Sequence, residues 1–278
     1  MSHSVEEMII HGDFESAYYH LRQKENVEAQ DYYIKGIAAF YAGLFIEAEE
    51  SFKEALKLAN SKQDDSLAKD TAKLLEIIKQ SRMEFEPPYL QAVIEQSRED
   101  SSERYEELYF LEELLNPDEE IRKKKTNELL GMLKDPQNKI RAYGNFIAAE
   151  VFSRQGNVKN ALTHYLVAIN LAPNKALYWG FCAQYLYQQK LALFDAVIFL
   201  RKAEELDGDN ARWPFLIACV LGLLATEDYY FIKQARLEAE NALGLCRKDQ
   251  LQLRDSLLAL NSTYKEFERT LADKGVFN

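Results

Sequence analysis

Neighbouring carboxylates are the residues of this chain with the clearest potential for catalysis, since one carboxyl group can act as a general acid and the other as a general base. The adjacent pairs include Glu49-Glu50, Glu106-Glu107 and Glu112-Glu113. Such pairs are too frequent in a chain with 28% charged residues to single one out, and exposed helix faces account for them. The chain also has no Gly-rich phosphate loop, GxSxG turn or HExxH motif. We therefore expect no catalytic residues.

Residues that bind metals are few and widely spaced. The histidines are His3, His11, His20 and His164, and the cysteines are Cys182, Cys219 and Cys246. No two cysteines form a CxxC pair, and the histidines have no ligand-type spacing. We expect buried helix cysteines in a reducing compartment, and neither a metal nor another cofactor.

The net charge of −11 is concentrated in one segment. Residues 84–120 contain 13 acids and only two bases, Arg98 and Arg104, so the rest of the chain is neutral. Nucleic-acid binding is disfavoured, because its affinity comes largely from Lys and Arg that neutralise phosphates. Two interpretations of the acidic segment stay open: a solvated helix face, or a surface that attracts a basic protein.

The composition favours a helical protein without a membrane segment. Only 11 glycines and 6 prolines occur among 278 residues, and Ala, Leu, Glu and Lys are abundant. No apolar run is long enough for a transmembrane helix, and Glu6 and Glu7 stand where a signal peptide has basic residues. We expect a cytoplasmic location and no membrane contact.

Two distant stretches repeat one pattern of glycine, small and aromatic residues. The matching residues are Gly43, Ala48, Phe52, Ala55 and Leu58 in one copy, and Gly156, Ala161, Tyr165, Ala168 and Leu171 in the other. Offsets of three and four place the residues after each glycine on one helical face. The glycine permits a turn, and the small residues allow a second helix to approach the first. The pattern predicts two helical hairpins that stack on similar hairpins.

This spacing resembles the tetratricopeptide repeat. The resemblance covers residues 29–62 and 142–248, with Gly36 at the place where the paired helices approach closely. A third unit begins near Trp179, and a fourth near Trp213 has about six extra residues in its turn, around 226–231. The resemblance implies an all-α fold, a right-handed superhelix (solenoid) of antiparallel helix hairpins, with a final helix from Leu251 that covers the last hairpin.

The centre of the chain does not follow the repeat. Ala48 and Ala161 are 113 residues apart, which is not a multiple of the 34-residue period. We expect divergent helix pairs with a hinge at 81–88 and a helix at 89–97. One further helix is expected before Pro117 and another after it. The predicted division is N-terminal hairpins in 1–62, a divergent acidic segment in 63–141, and C-terminal repeats with a capping helix in 142–278.

The resemblance also implies a partner-binding surface, because the first helix of each repeat lines the concave groove in that family. Carried onto this chain, the partner-binding residues are Tyr33, Phe40, Tyr41, Tyr143, Phe146, Glu150, Arg154, Gln184, Tyr187 and Gln188. This set is rich in aromatic and amide groups and suits an extended or helical peptide. For each aromatic residue the alternative is packing against a neighbouring helix.

These features favour a non-enzymatic protein-interaction module that binds a peptide or a partner's helix. Two alternatives stay open. One is a peptide-sensing regulatory receptor, although the 28 residues before the first full repeat are short for an effector region. The other is a helical enzyme without a recognisable motif. The partner is expected to be a protein or peptide, and a basic one if the acidic segment contributes.

Overall fold

The structure, a computed structural model, describes residues 4–24, 28–81, 106–247 and 250–274 of the 278-residue chain. Within these ranges every regular element is an α-helix. Many of the helices that follow one another pack side by side as hairpins. The predicted all-α fold of helix hairpins is therefore confirmed.

Fourteen helices are present in the described ranges. In chain order they are α1 Val5–Ile10, α2 Phe14–Arg22, α3 Ala29–Tyr41, α4 Phe45–Lys62, α5 Asp65–Gln80, α6 Glu106–Leu114, α7 Glu119–Met132, α8 Asn138–Arg154, α9 Val158–Leu171, α10 Ala176–Gln189, α11 Leu193–Leu206, α12 Arg212–Leu224, α13 Phe231–Leu245 and α14 Leu251–Asp273.

Packing divides the chain into two units. The first unit comprises Met1–Met83, Lys190–Arg201 and Asp209–Asn278, and the second comprises Glu84–Gln189 and Lys202–Gly208. The first unit thus joins residues from both ends of the chain. The division after residues 62 and 141 follows the repeat pattern alone and stays a prediction.

Three hairpin turns share one backbone geometry at a glycine. Gly12, Gly43 and Gly156 have φ of 68°, 73° and 70°, in the left-handed region that side chains rarely adopt. At each turn the residue after the glycine donates its backbone N–H to the carbonyl five residues earlier, as Leu44 does to Ala39 at 2.8 Å. This hydrogen bond ends the first helix as a Schellman motif. The turns predicted at Gly43 and Gly156 are confirmed.

Small residues let the paired helices approach closely, as the spacing predicts. Ala48, Ala55, Ala161 and Ala168 are fully buried. A Cβ placed on Gly36 would lie 2.5 Å from the Phe52 ring, so only glycine fits between α3 and α4. Phe52 and Tyr165 then fill the cores of their hairpins.

The first unit contains contacts between residues far apart in sequence. The Phe40 ring lies 5.5 Å from Phe194 on α11 and 5.3 Å from Phe231 on α13. A ladder in which each repeat touches only its neighbours has no such contacts. We call this cluster the aromatic joint. Its members are Phe14, Phe40, Tyr41, Phe45, Phe194, Tyr230 and Phe231.

In the centre of the chain, α6 and α7 confirm the two helices predicted around Pro117. The Asp118 side chain begins α7 by accepting the backbone N–H groups of Glu120 and Ile121, at 2.8 and 3.3 Å. The predicted hinge, the predicted helix at 89–97 and much of the acidic segment lie outside the described residues.

The last helix covers the last hairpin, as predicted. The Tyr264 hydroxyl on α14 donates to the Ala218 carbonyl on α12 at 2.8 Å. Arg236 on α13 pairs with Glu268 on α14 through Nε at 2.7 Å. A Cβ on Gly222 would overlap the Tyr264 hydroxyl, so that glycine makes the space in which Tyr264 sits.

Candidate functional site

Helices α8 and α10 of the second unit carry most of the predicted partner-binding residues. Phe146 on α8 contacts two aromatic residues of α10. Its ring stacks on Tyr178 at 4.9 Å and meets Phe181 edge-on at 5.5 Å. The Phe146 side chain is fully buried. Its role in this structure is therefore to pack α8 against α10, the alternative left open for each aromatic residue.

Glu150 also points into the second unit. It is only 8% exposed, and its carboxylate accepts a hydrogen bond from the Tyr165 hydroxyl on α9. Burial raises the pKa of Tyr165, and the charge of Glu150 raises it further. The hydroxyl therefore stays protonated and keeps its role as donor. The pair holds α8 against α9 rather than presenting a carboxylate to a partner.

The other predicted residues of this region are exposed or partly exposed, and the Tyr143 ring also meets Phe110 on α6 edge-on at 5.7 Å. Arg154 and Gln188 are exposed, and Tyr143, Gln184 and Tyr187 are half-buried. Tyr143 and Arg154 are eleven residues apart, which places them on the same side of α8. Gln184, Tyr187 and Gln188 lie within about one turn at the end of α10. We call these five residues the α8–α10 face.

The predicted residues in the first unit lie in or near its core. Phe40 is 4% exposed and lies in the aromatic joint. The Tyr41 hydroxyl donates to an Asp228 carboxylate oxygen at 3.0 Å. Burial, and then the charge of Asp228, raise the pKa of Tyr41. Tyr33 is half-buried with its ring 6.1 Å from Phe52. Phe40 and Tyr41 thus come together, but as packing residues.

Sequence reasoning missed the residues that cover Phe40 and Tyr41. Asp228, Tyr230 and Phe231 belong to the turn before α13 and to its first residue. The available signal was the length of that turn, which has about six residues more than the repeat needs. Those extra residues supply the partners of the N-terminal hairpin.

Within the described part of the chain, no group of three or more His, Cys, Asp or Glu side chains could hold a metal ion. His164 pairs through Nδ1 with the Asn145 Oδ1 at 2.8 Å, and burial lowers the pKa of His164. Burial also raises the pKa of Cys219 to about 11, which keeps this thiol protonated and unreactive. Within the same ranges, no helix is long and apolar enough to cross a membrane.

Comparisons with protein-family models and with curated proteins find no match to this chain. Among solved structures, the chain is similar to the TPR2AB-domain:pHSP90 complex of yeast Sti1. The sequences are 14% identical, the match covers 93% of this chain and 95% of that one, and the TM-score is 0.35.

Proposed function

We propose that this protein is a non-enzymatic binding module that holds a peptide, or a helix of a partner protein, on the α8–α10 face. The observation that carries the proposal is the combination of half-buried tyrosines with the exposed Gln188 amide and Arg154 guanidinium group on two packed helices. Tyrosines supply large contact area at low entropic cost, and they recur as anchors in protein interfaces. Gln188 and Arg154 can hydrogen-bond a peptide backbone or an acidic side chain.

The core beneath this face supports the same proposal. Phe146 and Glu150 are occupied by contacts within the second unit, so the helices that carry the exposed residues are held in place. A binding surface on rigid elements loses less entropy when it engages a partner. The proposal includes a cytoplasmic location, where the three cysteines would stay reduced.

The test is a capture experiment with variants of the most exposed residues. The double variant Arg154→Ala/Gln188→Ala removes two polar groups of the face without opening the core. The matched control, Lys159→Ala/Asn170→Ala, changes two exposed residues on α9 of the same unit. We expect the wild type and the control to capture the same partner from native lysate and the double variant to lose it. Circular dichroism would verify that both variants are folded.

Site-specific crosslinking locates the contact. A photo-reactive phenylalanine at position 187 should form an adduct with the captured partner, and the same group at position 167 on α9 should not. Val167 is 37% exposed, so the control position is also accessible. Capture that survives the double variant, together with equal crosslinking at both positions, would refute the α8–α10 face as the binding surface.

A further inference from the structure

The first unit contains a second candidate site, an open cleft between the α1–α2 turn and α13. Its volume is about 410 Å³, within the ~300–1,000 Å³ of typical small-molecule sites. The residues that line it are Glu7, Met8, His11, Asp13, Lys233 and Leu237. None of them belongs to the α8–α10 face, so this site is independent of the function proposed above.

The α1 wall of the cleft is fixed by the ends of that helix. Ser4 and Glu7 exchange side-chain and backbone hydrogen bonds at 2.9 and 3.2 Å and form a capping box. At the other end, the Asp13 N–H donates to the Met8 carbonyl at 2.7 Å and closes the turn at Gly12. Glu7 and His11 are four residues apart and therefore share one side of α1 and its cap.

The opposite wall is formed by α13, which the aromatic joint holds in place. The Phe14 ring at the start of α2 lies 6.2 Å from Tyr230, and Gln234 donates to Glu15 at 3.4 Å. A Cβ placed on Gly12 would be 2.9 Å from Cδ of Lys233, so the aliphatic stem of this lysine lies against the turn. Lys233 and Leu237, one turn apart on α13, therefore face α1 in a defined position.

Lys233 and Asp13 both line the cleft, and their charged groups form no ion pair with each other. Among the described residues, no carboxylate lies within 4.0 Å of the Lys233 ammonium group. Asp13 precedes α2, yet its side chain makes no capping hydrogen bond with that helix. A Cβ placed on Gly12 would also lie 3.7 Å from the Lys233 Nζ, so the ammonium group lies over the turn that carries Asp13. The cleft therefore combines this ammonium group and the Asp13 carboxylate with two apolar side chains, Met8 and Leu237.

We propose that this cleft binds a small zwitterion with an apolar side chain, of the class of leucine-like amino acids or dipeptides. The ligand's carboxylate pairs with Lys233, its ammonium group pairs with Asp13, and its side chain contacts Met8 and Leu237. Each ionic contact is a charge-assisted hydrogen bond. A simple anion would face the repulsion of Asp13, and a simple cation that of Lys233.

Isothermal titration calorimetry and ¹H–¹⁵N NMR of the full chain test the proposal with four probes. L-Leucine and L-leucyl-L-leucine carry both charges, N-acetyl-L-leucine lacks the ammonium group, and L-leucinamide lacks the carboxylate. We expect one of the first two to bind and to shift the backbone signals of His11 and Lys233. The probe with the lower Kd shows whether the cleft prefers a single amino acid or a dipeptide. The singly charged analogues should bind about tenfold more weakly or not at all.

Variants assign the two charges. Lys233→Met keeps the aliphatic stem over Gly12 and removes the charge, and Asp13→Asn keeps the shape of the side chain. Each should weaken binding of the preferred probe about tenfold or more, whereas the exposed control Lys69→Met on α5 should leave it unchanged. The NMR spectrum reports whether each variant is folded. The proposal would be overturned if neither zwitterion bound at ~10 mM, a concentration above the Kd of a useful site. Equal binding of N-acetyl-L-leucine, or unchanged binding by Lys233→Met, would also overturn it.

Discussion

The ends of α3 and α8 have the same backbone geometry but opposite surroundings. Phe40 and Tyr41 stand three and two residues before the turn glycine Gly43, and Ser153 and Arg154 stand at the same places before Gly156. Phe40 is 4% exposed and Tyr41 is half-buried, whereas Arg154 is exposed. One repeat position thus contributes to a core in one unit and to a surface in the other.

The repeat pattern therefore determines the hairpin, while the residues just before the turn determine which helices cover it. Aromatic residues at the end of α3 bring α11 and α13 onto the first hairpin, because burying rings releases a large apolar area from water. Ser153 and Arg154 offer no comparable apolar area at the end of α8.

Replacing Phe40 by alanine should have the largest effect, because its ring contacts Tyr41, Phe45, Phe194 and Phe231. Truncation of a buried Phe typically lowers the free energy of unfolding by about 3–5 kcal/mol. The chain has two tryptophans, Trp213 in the first unit and Trp179 in the second. Urea unfolding of 5-fluorotryptophan protein, followed by ¹⁹F NMR, should show a lower midpoint for the Trp213 signal.

The positional control is Ser153→Ala. Ser153 contributes a hydrogen bond to Tyr165, so its loss should cost only about 1 kcal/mol. Equal shifts for Phe40→Ala and Ser153→Ala would contradict the comparison, since the two positions would then contribute alike to stability.

Local features of the hairpins could be predicted from the sequence because each rests on a short-range requirement. Gly43 and Gly156 adopt left-handed turns, Gly36 admits the Phe52 ring, and the predicted small residues are buried. Each requirement involves residues at fixed offsets within one hairpin, and a repeating pattern reveals those offsets. The helix after Pro117 and the final helix were predicted from the periodic spacing of their apolar residues in the same way.

The long-range packing could not be predicted from the same signals. Tyr41 and its partner Asp228 are 187 residues apart, and no periodicity relates them. The groove positions of the repeat that the sequence resembles therefore predicted Phe40 as a partner-binding residue, whereas α11 and α13 bury it and leave it the packing role that was the alternative. The zwitterion cleft was missed for a similar reason, since Asp13 and Lys233 meet only after the two ends of the chain pack together.

Replacing Tyr41 by phenylalanine should have an intermediate effect. The variant keeps the ring in the aromatic joint and removes only the hydroxyl that donates to Asp228. A hydrogen bond to a charged group contributes about 1.5–3 kcal/mol, so the free energy of unfolding should fall by about that amount near neutral pH. A double-mutant cycle with Asp228→Asn should show coupling between the two changes, and strictly additive effects would contradict a direct bond.

The same variant should alter the dependence of stability on alkaline pH. Because the pKa of Tyr41 is raised in the folded state, the unfolded chain loses this proton first, at a pH near ~10. The stabilisation is present below that pH and is lost as the pH rises above it. Tyr41→Phe should therefore make the loss of stability above pH ~10 shallower. An unchanged alkaline slope would mean that Tyr41 titrates normally.

Replacing Arg154 by alanine should have the smallest effect on stability and so gives the sharpest test of the comparison. Arg154 stands where Tyr41 stands in the other hairpin, but its side chain is exposed. Exposed substitutions usually change the free energy of unfolding by less than about 0.5 kcal/mol. The Trp179 midpoint of Arg154→Ala should therefore match that of the exposed control Lys159→Ala. A loss above about 1 kcal/mol would place Arg154 among the packing residues and remove it from the surface proposed to bind a partner.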